Sequence, residues 1–146
     1  MKSDVIITIE NTQKTPGNNT ESTLTTVGKL WGISSDYHIS YSEQDDELKG
    51  SETELHVVND SKVTMTRRGN YSSMMIFEPG QQHHCFYNTP FGELNLGVFT
   101  KKVKSNVDEL GGKLKFSYTL DANNEFLSEN TLNITIKRKD TSQCQC

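Results

Sequence analysis

Asn88-Thr-Pro-Phe-Gly-Glu-Leu-Asn-Leu-Gly-Val-Phe-Thr100 sets a corner, Pro90 to Gly92, directly before a run of strand-forming residues. Proline fixes φ and glycine opens conformations closed to other residues, so the segment reads as a turn feeding the longest strand of the chain. Leu94 and Leu96 fall on its even face, whereas Phe99 and Val103 fall on the odd one. A change of apolar face within one strand requires a bulge or kink, and Gly97 is the natural place for it. The stretch therefore predicts a bent strand in a curved wall.

Downstream, Lys113 to Asp121 alternates Leu114, Phe116, Tyr118 and Leu120 against polar partners, and Thr131 to Arg138 places Leu132, Ile134 and Ile136 on one face. Both are half-buried strand patterns. Before and between them, Asn106 to Leu110 and Glu125 to Glu129 could each supply a short helical turn. Upstream, strands are expected at Val5 to Glu10, Ser22 to Ile33, Asp36 to Glu43, Glu52 to Val58, Lys62 to Arg68, Tyr71 to Glu78 and Gln81 to Asn88. Turn residues separate them: Pro16-Gly17-Asn18-Asn19, Asn59-Asp60-Ser61, Arg68-Gly69-Asn70, Pro79-Gly80 and Asn123-Asn124. Gly28 and Gly32, inside the second strand, suggest bulges or bends. Eight to ten strands in hairpin order with one apolar face each predict an all-β, closed antiparallel meander barrel, because closure removes exposed edges. A two-sheet sandwich is the alternative, but it normally needs longer crossovers.

The composition agrees. Among 146 residues there is one alanine, Ala122, against abundant threonine, and 32% of the chain is hydrophobic, enough for one thin core. One barrel domain is expected over residues 1–139, followed by a flexible tail from Asp140 to Cys146. A net charge of −4 argues against nucleic acid as a partner of the whole surface. No run approaches the roughly 18 apolar residues of a membrane span, and the start of the chain lacks the apolar segment of a signal peptide, so a cytoplasmic protein is expected. Cys85, Cys144 and Cys146 form neither a disulfide framework nor a zinc spacing and are read as reduced thiols.

Gly28 with the aromatic strand ending Tyr41-Ser42-Glu43, Val63 to Gly69, Phe77-Glu78-Pro79-Gly80, Pro90-Phe91-Gly92-Glu93-Leu94 leading to Thr100, and Asn133-Ile134-Thr135-Ile136 together resemble the YwiB-like family of small bacterial proteins of unknown function. The likeness covers most of residues 24–136. It implies a calycin-type, lipocalin-like barrel and brings no catalytic residue with it. Lipocalins proper carry Gly-x-Trp on their first strand; here the spacing is Gly28-Lys29-Leu30-Trp31.

Alternation directs Glu43 and Arg67 toward the barrel interior. Arg67 could pair with Glu43, or bind the carboxylate or phosphate of a ligand. Tyr37, Tyr41, Phe77, Phe99, Phe116 and Tyr118 could line a pocket or simply fill the core. His83 and Cys85 share a face, but two ligands do not make a zinc site, and His38 or His56 would complete one only if the fold brought them close. Cys85 has no evident activating charge and reads as a small buried hydrophobe. Lys101, Lys102 and Lys104 could face Lys137, Arg138 and Lys139 as the barrel closes, in a solvated basic patch. No catalytic residues, metal or cofactor are expected.

The leading expectation is a non-enzymatic protein holding a small amphipathic or anionic molecule inside the barrel. Arg67, Glu43, Tyr41, Tyr37, Phe99 and Tyr118 would be its lining. The alternative is a structural or protein-interaction module with a side-chain-filled barrel and no ligand. Neither nucleic acid nor membrane is an expected partner; a homodimer or another protein partner stays open.

Overall fold

Ten strands account for most of the described residues in a computed structural model that describes residues 3–42, 50–69, 72–89 and 92–139. They are β1 (Ser3–Thr15), β2 (Asn18–Ile33), β3 (Asp36–Ser42), β4 (Glu52–Val58), β5 (Lys62–Arg68), β6 (Ser73–Phe77), β7 (Gln82–Thr89), β8 (Gly92–Asp108), β9 (Gly111–Ala122) and β10 (Glu125–Arg138). Every ladder is antiparallel, in the order β6-β5-β4-β3-β2-β1-β10-β9-β8-β7. The first and last strands pair with each other, Val5 opposite Arg138 through Lys14 opposite Glu129. The result is the expected all-β antiparallel barrel, nearly closed: among the described residues β6 and β7 meet without a ladder of their own.

At that seam, the Met74 backbone N–H of β6 hydrogen-bonds the Cys85 sulfur of β7. The turn between the two strands is stitched to β8, with Gly80 N donating to Thr100 O at 2.9 Å and Thr100 N to Gln81 O at 3.3 Å. Edge groups that would otherwise be orphaned thus find partners outside the ladder.

No described residue is helical. Asn106 to Asp108 continues β8, opposite Lys113 to Gly111, and Glu125 to Glu129 begins β10. Asn106, Asp108, Glu125 and Glu129 are weak β-formers by themselves; pairing with an already extended neighbour overrides that local preference. The tail from Asp140 lies outside the described residues, as does Glu43.

The β8 wall bends where the register shifts, between Thr100 and Lys102, and not at Gly97. Leu96, Val98 and Thr100 point inward up to this bulge, and Val103, Ser105 and Val107 do so after it. Phe99 accordingly lies outside, 38% exposed. Gly97 serves a different purpose: a Cβ there would come 2.5 Å from Asp121 Oδ1 and 2.8 Å from Gln82 Nε2, two groups that hydrogen-bond each other over the strand. Gly28 likewise sits in an unbroken ladder, where its missing side chain admits the Ser40 carbonyl.

Inward residues fill one end of the barrel completely. Val5, Ile7, Tyr37, Ile39, Leu55, Val57, Val63, Phe77, Val98, Leu114 and Phe116 are all at most 2% exposed. Phe77, Phe116 and Tyr118 pack as a cluster with ring centroids 4.6–6.0 Å apart, within the separations aromatic pairs prefer. This floor lies toward the turns that link β2 to β3, β4 to β5, β6 to β7 and β8 to β9.

Candidate functional site

Above the floor the inward positions of β1 and β10 turn polar. Along β1 they run Val5, Ile7, Ile9, then Asn11 and Gln13; along β10 they run Ile136, Ile134, Leu132, then Asn130 and Ser128. Side chains that carry polar atoms cannot fill a dry core cheaply, so this end of the barrel stays open. A cavity of about 750 Å³ results. Its wall is largely apolar, with Ile9, Leu24, Met65, Met75, Leu96, Leu120 and Leu132 among its lining, and Leu94 and Leu127 exposed on it.

A cross-strand row forms one side. Gly28, Tyr41, Thr53, Arg67 and Ser73 stand opposite one another on β2 to β6, and Tyr41, Arg67 and Ser73 face the cavity. Tyr118 lines the opposite side, with Asn130, whose Nδ2 donates to Ser128 Oγ at 2.9 Å. Arg67 is already engaged by a neighbouring group. It is also the only charged side chain among the described residues of the lining. Asn11 Oδ1 is buried there without a hydrogen bond.

Of the expected lining residues, the fold brings Arg67, Tyr41 and Tyr118 together. Tyr37 points inward but belongs to the floor, 2% exposed, next to a separate recess of about 190 Å³. Phe99 is on the outer wall because the bulge falls after it, and Glu43 is outside the described residues. The sequence reading missed Asn11, Gln13 and Asn130. Their signal was present: polar residues continuing an apolar alternation at inward positions mark the height at which a barrel ceases to be filled.

Burial pushes the Cys85 thiol above its usual range, opposed by the Met74 N–H, and the residue is 3% exposed. A neutral, enclosed thiol is a poor nucleophile. His83 Nε2 lies 3.0 Å from Glu78 Oε1, and neither His38 nor His56 approaches Cys85, since β5 and β6 stand between their strands, β3 and β4, and β7. The two lysine runs do not meet. β9 separates β8 from β10, Lys104 stands opposite Lys115, and Lys101 pairs with Glu129. Among the described residues no helix is long and apolar enough to cross a membrane.

A nearly closed ten-stranded antiparallel barrel with one filled and one open end defines the class. The chain belongs to the family described as "Domain of unknown function (DUF1934)", whose profile matches residues 7–134. It is 27% identical over 138 residues to the "Uncharacterized beta-barrel protein YwiB" of Bacillus subtilis (strain 168), spanning 93% of this chain and 94% of that one. The crystal structure of the ywiB protein from Bacillus subtilis superposes with a TM-score of 0.78, at 23% identity, over 94% of this chain and 92% of that chain.

Proposed function

We propose that the protein is a cytoplasmic, non-enzymatic binder of a small amphipathic anion, held in the open end of the barrel. One observation carries this reading: a cavity of about 750 Å³ whose only charged lining side chain, among the described residues, is Arg67. The volume is within the range of about 300–1,000 Å³ usual for small-molecule sites, and an apolar wall with a few convergent polar groups is their usual make-up. The leucines and methionines would take the apolar part of the ligand. Arg67 would take its carboxylate or phosphate, aided by the hydroxyls of Tyr41 and Tyr118, because a guanidinium offers donors in a planar fork that matches such groups.

Native mass spectrometry of the purified protein for a retained ligand is the first test. The second compares dodecanoate with dodecanol, equal in chain and different in charge. The acid is expected to bind at least about tenfold more tightly, a difference of about 1.4 kcal/mol, and Arg67→Met is expected to remove that preference. Equal binding of acid and alcohol would discard the anion, and binding of neither would favour an interaction module. A rise in thermal stability of Arg67→Met with a co-purifying ligand still bound would show that Arg67 is no part of recognition.

A further inference from the structure

The outer wall at β2 to β4 carries a second constellation. Trp31, His38 and His56 occupy directly opposed positions on β2, β3 and β4. Their rings form one stack, with Trp31 and His38 centroids 5.0 Å apart and those of His38 and His56 4.0 Å apart, at interplanar angles of 1° and 7°. Each imidazole also meets a carboxylate. His38 Nδ1 lies 2.9 Å from Glu54 Oε2, and His56 Nε2 lies 2.7 Å from Asp36 Oδ1. Ligand-capable atoms of Asp36, His38 and His56 are all within 4.8 Å of one another.

We propose that Asp36, His38 and His56 form a binding site for a divalent transition-metal ion of the zinc type. Two imidazole nitrogens and one carboxylate oxygen are the donors that such ions prefer, whereas calcium and magnesium favour oxygen alone. Glu54 occupies Nδ1 of His38 and so leaves Nε2 as the ligand atom. A carboxylate behind a histidine in this way fixes its tautomer and ring orientation, and Arg68 Nη1, 3.6 Å from Glu54 Oε1, steadies the carboxylate in turn. Loading requires His38 and His56 to turn out of their parallel stack, since the in-plane lone pairs of parallel rings do not converge on one ion, and the three donor atoms to settle about 3.3 Å apart, the spacing of neighbouring ligands of a tetrahedral ion at about 2.0–2.1 Å. His38 and His56 are 26% and 35% exposed, so the remaining coordination position opens to water. The ion would clip β3 to β4 on the outside of the barrel, independently of the cavity.

Isothermal titration of zinc chloride into the full, tag-free chain tests this, using Cys144→Ser with Cys146→Ser to remove two competing thiols. One ion per chain is expected. The paired variant His38→Asn with His56→Asn should abolish binding, while its circular dichroism matches the parent. Glu54→Gln should weaken binding by about tenfold or more, as loss of a group behind a ligand does. Cobalt(II) absorption supplies a second readout, and the ligand-field bands should vanish in the paired variant. The site is overturned if no saturable binding occurs up to about 1 mM zinc, a free energy of only about −4 kcal/mol. It is equally overturned if the paired variant binds zinc as the parent does, and unchanged affinity in Glu54→Gln would remove Glu54 as a positioning residue.

Discussion

The Tyr37 hydroxyl lies 2.6 Å from Ser105 Oγ, a hydrogen bond through the barrel interior between β3 and β8, which are not neighbours in the sheet. It ties opposite walls at the level of the filled floor. Burial pushes the Tyr37 pKa up to about 12, with the Ser105 bond opposing.

Tyr37→Phe is expected to lower stability by about 0.5–1.5 kcal/mol, the usual net worth of such a bond, with the orphaned Ser105 hydroxyl adding to the loss. Chemical denaturation of both proteins at neutral pH measures it. The pH dependence has a definite sign. A folded-state pKa near 12, above the ordinary value of 10.0, keeps the proton on the native tyrosine after the unfolded chain has released it. Tyr37 therefore contributes full stability below pH 10, and that contribution is lost as pH rises from 10 toward 12. The alkaline limb of the stability curve should be shallower in Tyr37→Phe.

Leu114→Ala and Leu120→Ala remove the same atoms from one strand at different heights. Leu114 is wholly buried in the floor, and Leu120 borders the cavity. The first should cost about 2–5 kcal/mol, as cavity-forming substitutions in packed cores do, and the second clearly less, because its surroundings are already open. Equal losses in urea denaturation would contradict a floor and cup of different packing.

Gly28→Ala should be strongly destabilising although glycine's freedom of φ is not needed there. A Cβ would stand 2.2 Å from the Ser40 carbonyl oxygen and 2.6 Å from Ile7 Cδ1. Backbone on one side and a fully buried side chain on the other leave little room to yield, so a loss of about 1–3 kcal/mol or more is expected. A fall in the melting temperature is the measurement.

Asn124→Gly should act in the opposite direction. Asn123 and Asn124 have φ of 53° and 66° at the turn between β9 and β10, as do Asn59 and Asp60, at 53° and 56°, between β4 and β5. Two successive left-handed residues are the requirement of the commonest hairpin turn, and glycine meets it without strain. A stabilisation of up to about 1 kcal/mol is expected, read as a higher denaturation midpoint.

Strand identity was legible because alternation is local. Glu52–Val58 and Lys62–Arg68 were read from sequence with the bounds they have in the structure, since Asn59 and Asp60 announce the turn between them. Phe99 was misplaced because a single extra residue at Lys101 reverses every later side chain, and nothing in Lys101 or Lys102 announces a bulge. Tyr37 shows another limit: alternation reports which face a residue occupies and not its height in the barrel, so floor and cavity looked alike. The stacking of His38 on His56 depends on the register between β3 and β4, which no local pattern fixes.

The hydrogen bond from Lys139 N to Asp4 O, 2.9 Å, brings the two ends of the described chain side by side, while the break in the ladder falls far inside the sequence, between β6 and β7. Linking those ends and opening the Pro79-Gly80 turn would give a chain whose strands follow the sheet from edge to edge, β7 through β10 and then β1 through β6. Every pairing in that chain would be a hairpin. The natural chain instead must bring Val5 to Arg138, and closing so large a loop before any contact rewards it slows folding. The chain order thus assigns the slowest pairing to the sheet's middle and leaves its two free edges joined by a tight turn.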